Sequence, residues 1–299
     1  MSSASSAVAE PAVRTRADGR GERPNAHTIL VLARKELRDA VRDRWFWLYA
    51  GGFALLAGAL TSVAIADTPE IGFAGFGRTG ASLVALAQLV IPLMGLTLGA
   101  RSIAGQRERG TLRFLLGHPV SRTEAFVGIW AGMTVAMLAA VAGGFGLAGV
   151  VATVRSAPVD AADLVVIALC SWLLAVGMIG VGMLLSVLTR KSATALGASL
   201  AAWILLVFVG DLGLMGTAVS TQLPTSTLFL AAVANPVEAF RLTAVRSLQG
   251  SLDVLGPAGS YAVDRFGDSV VWLTGGALVL WAVVPTLGAW WLFRRGTDL

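Results

Sequence analysis

The sequence predicts an all-α integral membrane protein with six membrane-spanning helices, and three observations predict it. First, the 299 residues are 56% hydrophobic and only 14% charged, with a mean hydropathy of +0.74; soluble domains carry about a quarter charged residues. Second, the apolar residues gather into six runs: Trp45–Ala66, Ala81–Ala100, Phe126–Ala152, Leu164–Leu188, Ala193–Met215 and Ser269–Phe293. Each is long enough, at about 20 residues or more, to cross about 30 Å of hydrocarbon as a helix. None has Lys or Arg in its interior. Third, the basic residues alternate. With the N-terminus inside, 18 of the 23 Lys and Arg fall on inside segments, while the acidic residues divide nine and nine. That asymmetry predicts a cell-membrane protein with both termini cytoplasmic. It also makes the membrane surface, and not nucleic acid, the reason for the basic pI.

Residues 1–26 are rich in Ser, Ala, Arg and Pro and have no apolar core, so they read as a disordered cytoplasmic tail and not a cleaved signal peptide. His27–Arg44 reads as an amphipathic helix, with Leu30, Ala33, Leu37 and Val41 at three- and four-residue spacing. Arg34, Lys35, Arg38 and Arg42 are interleaved with Glu36, Asp39 and Asp43. A helix of this kind lies on the inner membrane surface with its apolar face down, or else is a solvated lead into the first span. Trp45, Trp47 and Tyr49 follow, where an interfacial aromatic belt is expected. Residues 45–299 then form the membrane domain.

Residues 101–124, between the second and third spans, are too long and too charged for a simple connection. Gln106, Arg107, Glu108 and Arg109 close a helix, Gly110 interrupts it, and Thr111–Leu116 carries Leu112, Leu115 and Leu116 on one stripe with Phe114 beside them. Gly117 and Pro119 break the chain, and Ser121 with Glu124 forms a capping box for the third span. The pattern fits a membrane-surface helix or a docking helix for a cytoplasmic partner; a small apolar knob rimmed by charge suits a groove.

Residues 216–268 form the external segment. Within it Asn235 is an N-cap, Pro236 suits the first helical position and Glu238 stands three after the cap. Val237, Phe240, Ala244, Val245 and Leu248 make a stripe, and Gly250 is a terminator. The expectation is a helix resting on the outer interface, preceded by a short re-entrant Thr227–Ala234. It caps the bundle, or it serves gating or partner docking through Asn235, Pro236, Glu238, Phe240 and Arg241.

Inside the spans, Gly95-x-x-x-Gly99 and Gly128-x-x-x-Gly132 allow close helix contact. Ionisable residues are nearly absent there; Gln88 and Pro92 lie in the second span and Asp211 near the outer end of the fifth. That argues against a proton- or sodium-coupled carrier. Gln88, Met94, Met133 and Met137 are the residues a translocation path would use. Methionine also fills core gaps, so packing outweighs copper binding and no metal site is expected. Cys170 is the single cysteine, which rules out an intrachain disulfide. The two lysines, Lys35 and Lys191, close no phosphate loop, and the two histidines, His27 and His118, make no zinc-protease motif. No Ser/His/Asp set follows a known pattern. The chain is therefore expected to be neither an enzyme nor a holder of cofactors.

"SIAGQRERGTLRFLLGHPVSRTEAF" resembles the cytoplasmic segment of ABC-2 type permeases, in which an E-R-E-R/K-G-T-L run precedes a Pro and a Ser-Arg. Gln106 and Arg107 stand where that family often has Glu-Arg. "ARKELRDAVRDRWFWLYA" resembles the family's N-terminal surface helix, and "ANPVEAFRL" resembles a segment of its NosY-like branch, which serves nitrous-oxide-reductase maturation. The resemblance covers nearly all of the chain after residue 27. It implies the architecture of a type V exporter, a homodimer, and two copies of a separate ATPase subunit that binds ATP and Mg. It also implies that Gln106–Leu116 is the coupling helix: Glu108 and Arg109 on the ATPase rim, Thr111, Leu112 and Leu115 in its groove, Gly110 permitting close approach. The cargo would serve copper-enzyme assembly, with an external accessory protein near Asn235–Arg246. A general exporter of lipids or drug-like compounds, and a membrane scaffold that passes ATPase motion to an external partner, are the alternatives.

Overall fold

The computed structural model describes residues 25–66, 74–155, 161–210, 224–247 and 264–296. Residues 1–24 of the expected N-terminal tail, Asp211, Met215, Leu248 and Gly250 lie outside these, while Asn25 and Ala26, expected in that tail, belong to the start of the first helix. The described residues contain helices and no strand.

Helix α1, Ala26–Arg42, starts where the Asn25 side chain accepts the His27 N–H at 3.0 Å, a side-chain N-cap. Asp43 ends it and accepts the Trp45 N–H at 3.0 Å, which opens α2, Arg44–Ala66. Helix α3, Ala74–Glu108, is a single 35-residue element despite Pro92. It therefore continues two turns beyond the expected end of the second span. The short α4, Thr111–Leu116, follows. Helix α5, Arg122–Val154, opens with the expected capping box. Helix α6, Ala161–Leu188, is followed by α7, Ser192–Ile204, which passes into a π-helical turn at Leu205–Val209. Helices α8, Thr225–Ala234, and α9, Pro236–Ser247, meet at 104°. Helix α10, Val270–Arg295, ends the fold.

Among the described residues five helices have the length and apolarity to cross a bilayer: Arg44–Ile65, Gly80–Glu108, Arg122–Val154, Ala161–Leu188 and Val270–Arg295. The expected fifth span is a shorter apolar helix within the described residues, Ser192–Phe208. The bent α8–α9 pair is a sixth apolar unit. The bundle exposes Leu55, Leu56, Val63, Leu280, Val284 and Leu287 on its flanks, as helices facing lipid do.

Glycine sets the helix spacing. A Cβ on Gly99 would stand 2.5 Å from the Ile179 carbonyl oxygen of α6, and one on Gly182 would stand 2.5 Å from the Leu96 oxygen of α3. The expected Gly95/Gly99 contact is thus completed by a third glycine on the opposing helix. Gly128 and Gly132 of α5 receive α1 in the same manner, against Leu32, Ala33 and Glu36. Phe53, Ile91, Leu96, Ile129, Met137, Met178 and Phe240 form the core among them.

Two expectations change here. Helix α1 buries Leu32 and Ala40, with Ile29, Ala33 and Leu37 half-buried, while Leu30 and Val41 stay exposed. The stripe that meets protein is therefore rotated from the Leu30/Ala33/Leu37/Val41 stripe, because the α5 glycines leave room for Leu32. Helix α9 does not rest on the outer interface. Pro236, Val237, Glu238, Ala239, Phe240, Leu242, Thr243 and Ala244 are buried, since α9 packs against α3, α6 and α10. The buried Thr243 hydroxyl donates to that of Thr274 on α10 at 2.7 Å.

Candidate functional site

The charged ends of several helices assemble into one platform. Its centre is Ser186 of α6, fully buried. The Ser186 hydroxyl donates to the Ala100 carbonyl at 2.7 Å and accepts the N–H groups of Ile103 and Ala104 at 3.1 and 2.8 Å. One side chain thus holds both polar groups of an α3 turn that Gly99 has brought against α6. Beyond that turn, Gln106 is buried and its Nε2 donates to Glu36 of α1 at 2.9 Å. Arg107 donates to the Thr189 carbonyl at 2.8 Å. Glu108 accepts the Ser192 N–H at 3.2 Å and so places a carboxylate at the N-terminus of α7. Arg101 pairs with Asp43 at 3.1 Å, joining α3 to the α1–α2 elbow.

On this base the chain turns at Gly110, whose φ of +73° lies in the left-handed region that glycine adopts without a Cβ penalty. The Thr111 hydroxyl donates to the Gln106 carbonyl at 3.1 Å. Leu112 is completely buried, whereas Phe114 is 73% exposed. Phe114 stacks edge-on with His118, ring centroids 4.7 Å apart, and the His118 Nδ1 lies 2.9 Å from the Phe114 carbonyl oxygen. Arg109, Gly110, Thr111, Arg113, Phe114, Gly117 and His118 therefore form one exposed ridge. At its far end Glu124 accepts the N–H groups of Asn25 at 2.6 Å and Ser121 at 2.7 Å, tying α5 to the start of α1. Arg122 donates to the carbonyls of Phe293, Arg294 and Gly296 and caps α10.

The expected coupling residues divide accordingly. Arg109, Gly110, Thr111 and Phe114 stand on the exposed ridge, and Leu115 is half-buried. Gln106 and Arg107 bond within the chain, and Glu108, though exposed, is engaged at α7. Leu112 is core and cannot fill a partner's groove. Arg113 and His118 also stand on the ridge, outside the set of expected coupling residues. The i, i+4 spacing of Phe114 and His118 was the available signal. Nothing local could have paired Arg101 with Asp43, which are 58 residues apart.

A cleft of about 570 Å³ opens beside the platform. Asp43, Thr97, Arg101, Glu108 and Ser192 supply its polar lining, Trp45, Phe46 and Tyr49 its aromatic lining, and Met94 and Met137 part of its apolar lining. The expected path residues separate: Met94, Met133 and Met137 are all buried in the core, of which Met94 and Met137 also line the cleft, and Gln88 is half-buried on α3 outside the cleft. Among the described residues no group of three or more His, Cys, Asp or Glu could hold a metal.

At the other end, Asn235 makes the α8–α9 corner. Its Oδ1 accepts the Val237 N–H at 2.9 Å, and its Nδ2 donates to the Leu206 carbonyl in the π-helical turn at 2.7 Å. The Trp281 indole donates to the Ala234 carbonyl at 3.1 Å. Of the residues expected at a docking face, Pro236, Glu238 and Phe240 are buried, and Arg241 is half-buried with its Nη1 3.8 Å from Glu238. The reason is the same burial of α9 in the bundle, which leaves them no outer face to offer.

An apolar multi-helix bundle with a charged platform and an exposed ridge at one end defines a multi-pass membrane protein. The chain belongs to the ABC-2 transporters: the model of the ABC-2 family transporter protein family matches residues 30–297. A Stutzerimonas stutzeri protein named "Probable ABC transporter permease protein NosY" is 30% identical over 275 residues, covering 88% of this chain and 97% of that one. A Pseudomonas aeruginosa protein of the same name is 31% identical over 274 residues, covering 89% and 98%. The chain is thus similar to NosY permeases over almost its whole length, and it is a membrane permease subunit of an ABC transporter.

Proposed function

We propose that this permease is driven by a separate ABC ATPase that grips the ridge Arg109–His118, and that the complex serves copper-enzyme maturation as in the NosY-like branch. The observation that carries the coupling role is Phe114. It is a large apolar side chain held out by a six-residue helix whose neighbour Leu112 is anchored in the core. Arg109 and Arg113 flank it and would form charge-assisted bonds with acidic groups of the partner. The platform side chains join this ridge to α1, α6 and α7, so force on α4 reaches several helices together. ATP and Mg would reside on the partner, in two copies on a homodimer of this chain.

The basic ends gathered at the platform support a cytoplasmic position for that end and for both termini. ATP-driven movement of α4 would alter the cleft between α2, α3 and α7, where cargo would enter. The buried α8–α9 corner would close the opposite end, and any external accessory protein would meet its exposed margin. The similarity to NosY permeases supports the maturation role; a general exporter would share the coupling and differ in cargo. Co-purification with a co-expressed ABC ATPase subunit tests the coupling. The double variant Arg109→Glu, Phe114→Asp should lose the ATPase while the permease stays folded; full recovery of an active complex would refute the assignment.

A further inference from the structure

The charged face of α1 sorts itself in a manner the sequence does not show. Each of its carboxylates is engaged. Glu36 accepts from Lys35 and from Gln106, both at 2.9 Å, Asp39 pairs with Lys35 at 3.1 Å, and Asp43 pairs with Arg101 at 3.1 Å. For Lys35, burial lowers its pKa, but Glu36 and Asp39 outweigh that and leave it raised. Four arginines remain, Arg34, Arg38, Arg42 and Arg44, all exposed and with no ion pair among the described residues. Three of them continue an i, i+4 row that begins at the exposed Leu30. Val41 borders the row, and the exposed Trp45 and Trp47 follow at the start of α2. The Trp47 indole donates to the Val41 carbonyl at 2.6 Å and fixes the elbow between the two helices.

We propose that this face is a binding surface for anionic phospholipid of the leaflet on the platform side. Four unpaired guanidinium groups beside an apolar edge match a phosphate layer above acyl chains, and each can form bidentate bonds to a phosphodiester. The tryptophans set the depth, as amphipathic rings do at the headgroup level. Because α1 is seated on Gly128 and Gly132 and bonded to Gln106, lipid held there steadies the platform that bears α4. A partner protein with an acidic surface could use the same charges, but the exposed Leu30, Val41, Trp45 and Trp47 favour the membrane.

The test uses the complete permease–ATPase complex in vesicles of phosphatidylcholine mixed with phosphatidylglycerol. Brominated forms of each lipid, added at equal fraction, quench tryptophan fluorescence in proportion to their proximity. Brominated phosphatidylglycerol should quench more strongly than brominated phosphatidylcholine. The preference should fall by up to roughly five-fold per arginine in the series Arg34→Gln, Arg38→Gln, Arg42→Gln, Arg44→Gln, and with rising salt. Substitution by Lys at all four should retain most of it. That variant and the wild-type salt titration keep the test decisive if the Gln series is poorly folded. Equal quenching by both lipids in the wild type would overturn the proposal. So would a preference that the Gln series leaves unchanged, or loss of the ATPase from the Gln variant in pure phosphatidylcholine, which would assign the arginines to a protein partner.

Discussion

Leu112 and Phe114 stand two residues apart on α4 and do opposite things. Leu112 is sealed among the helices, so Leu112→Ala leaves a cavity and should cost about 2–5 kcal/mol, read as a lowered Tm of the solubilised complex. Phe114→Ala should leave Tm within the small change typical of surface sites, about 0.5 kcal/mol, while sharply weakening recovery of the ATPase. If the two results were exchanged, the ridge would be misassigned. Ser186 is a second residue whose effect exceeds its size. Ser186→Ala strips a buried partner from the Ala100 carbonyl and from two N–H groups, for a loss of about 1–3 kcal/mol. Faster hydrogen exchange at Ile103 and Ala104 would mark the loss as local. In the sequence Leu112 and Phe114 are equivalent, because a six-residue helix has too little periodicity to say which of two neighbouring apolar residues faces inward. Ser186 carried no signal of its own, since serine is common within membrane helices.

At the scale of elements, glycine decides which helices touch. Gly132 admits Ala33 and Glu36 of α1 so closely that Gly132→Leu has no room. That substitution should lift α1 from α5, and limited trypsin digestion should then cut at Arg34 and Arg38 in the variant well before the wild type. Equal cleavage rates would show that α1 is held by other contacts. The Gly-x-x-x-Gly spacing was legible, but its partner was not, because small residues state only that something comes close. In α3 the partner is the Gly182 region of α6; in α5 it is not one of the candidate spans but α1. The capping box at Ser121 and Glu124 was read correctly, since it lies within four residues. The same carboxylate also receives the Asn25 N–H, 99 residues away, and no local pattern could indicate that.

For the whole molecule, the two ends of the bundle are built differently. One end is a cross-linked platform with an exposed ridge; the other is closed by a bent helix pair hung on Asn235. Asn235→Ala should release the Leu206 carbonyl and the Val237 N–H together. Hydrogen exchange at residues 205–210 and 236–239 should rise while co-purification of the ATPase is unchanged, because the platform is remote from the corner. Loss of the ATPase would instead show the two ends to be one cooperative unit. The sequence by itself determined the all-α membrane class, the apolar helices, the charged segment and its breaks, because hydropathy, charge asymmetry and caps are local properties. It also carried the resemblance to ABC-2 permeases. Only the tertiary structure decided that α9 is buried, that α1 turns Leu32 inward, and that Gln106 and Leu112 are structural while Phe114 is exposed. The reason is that membrane helices are apolar on every side. Their composition says that they enter the bilayer, and only close packing, set by glycine and a few buried hydrogen bonds, determines which face meets protein.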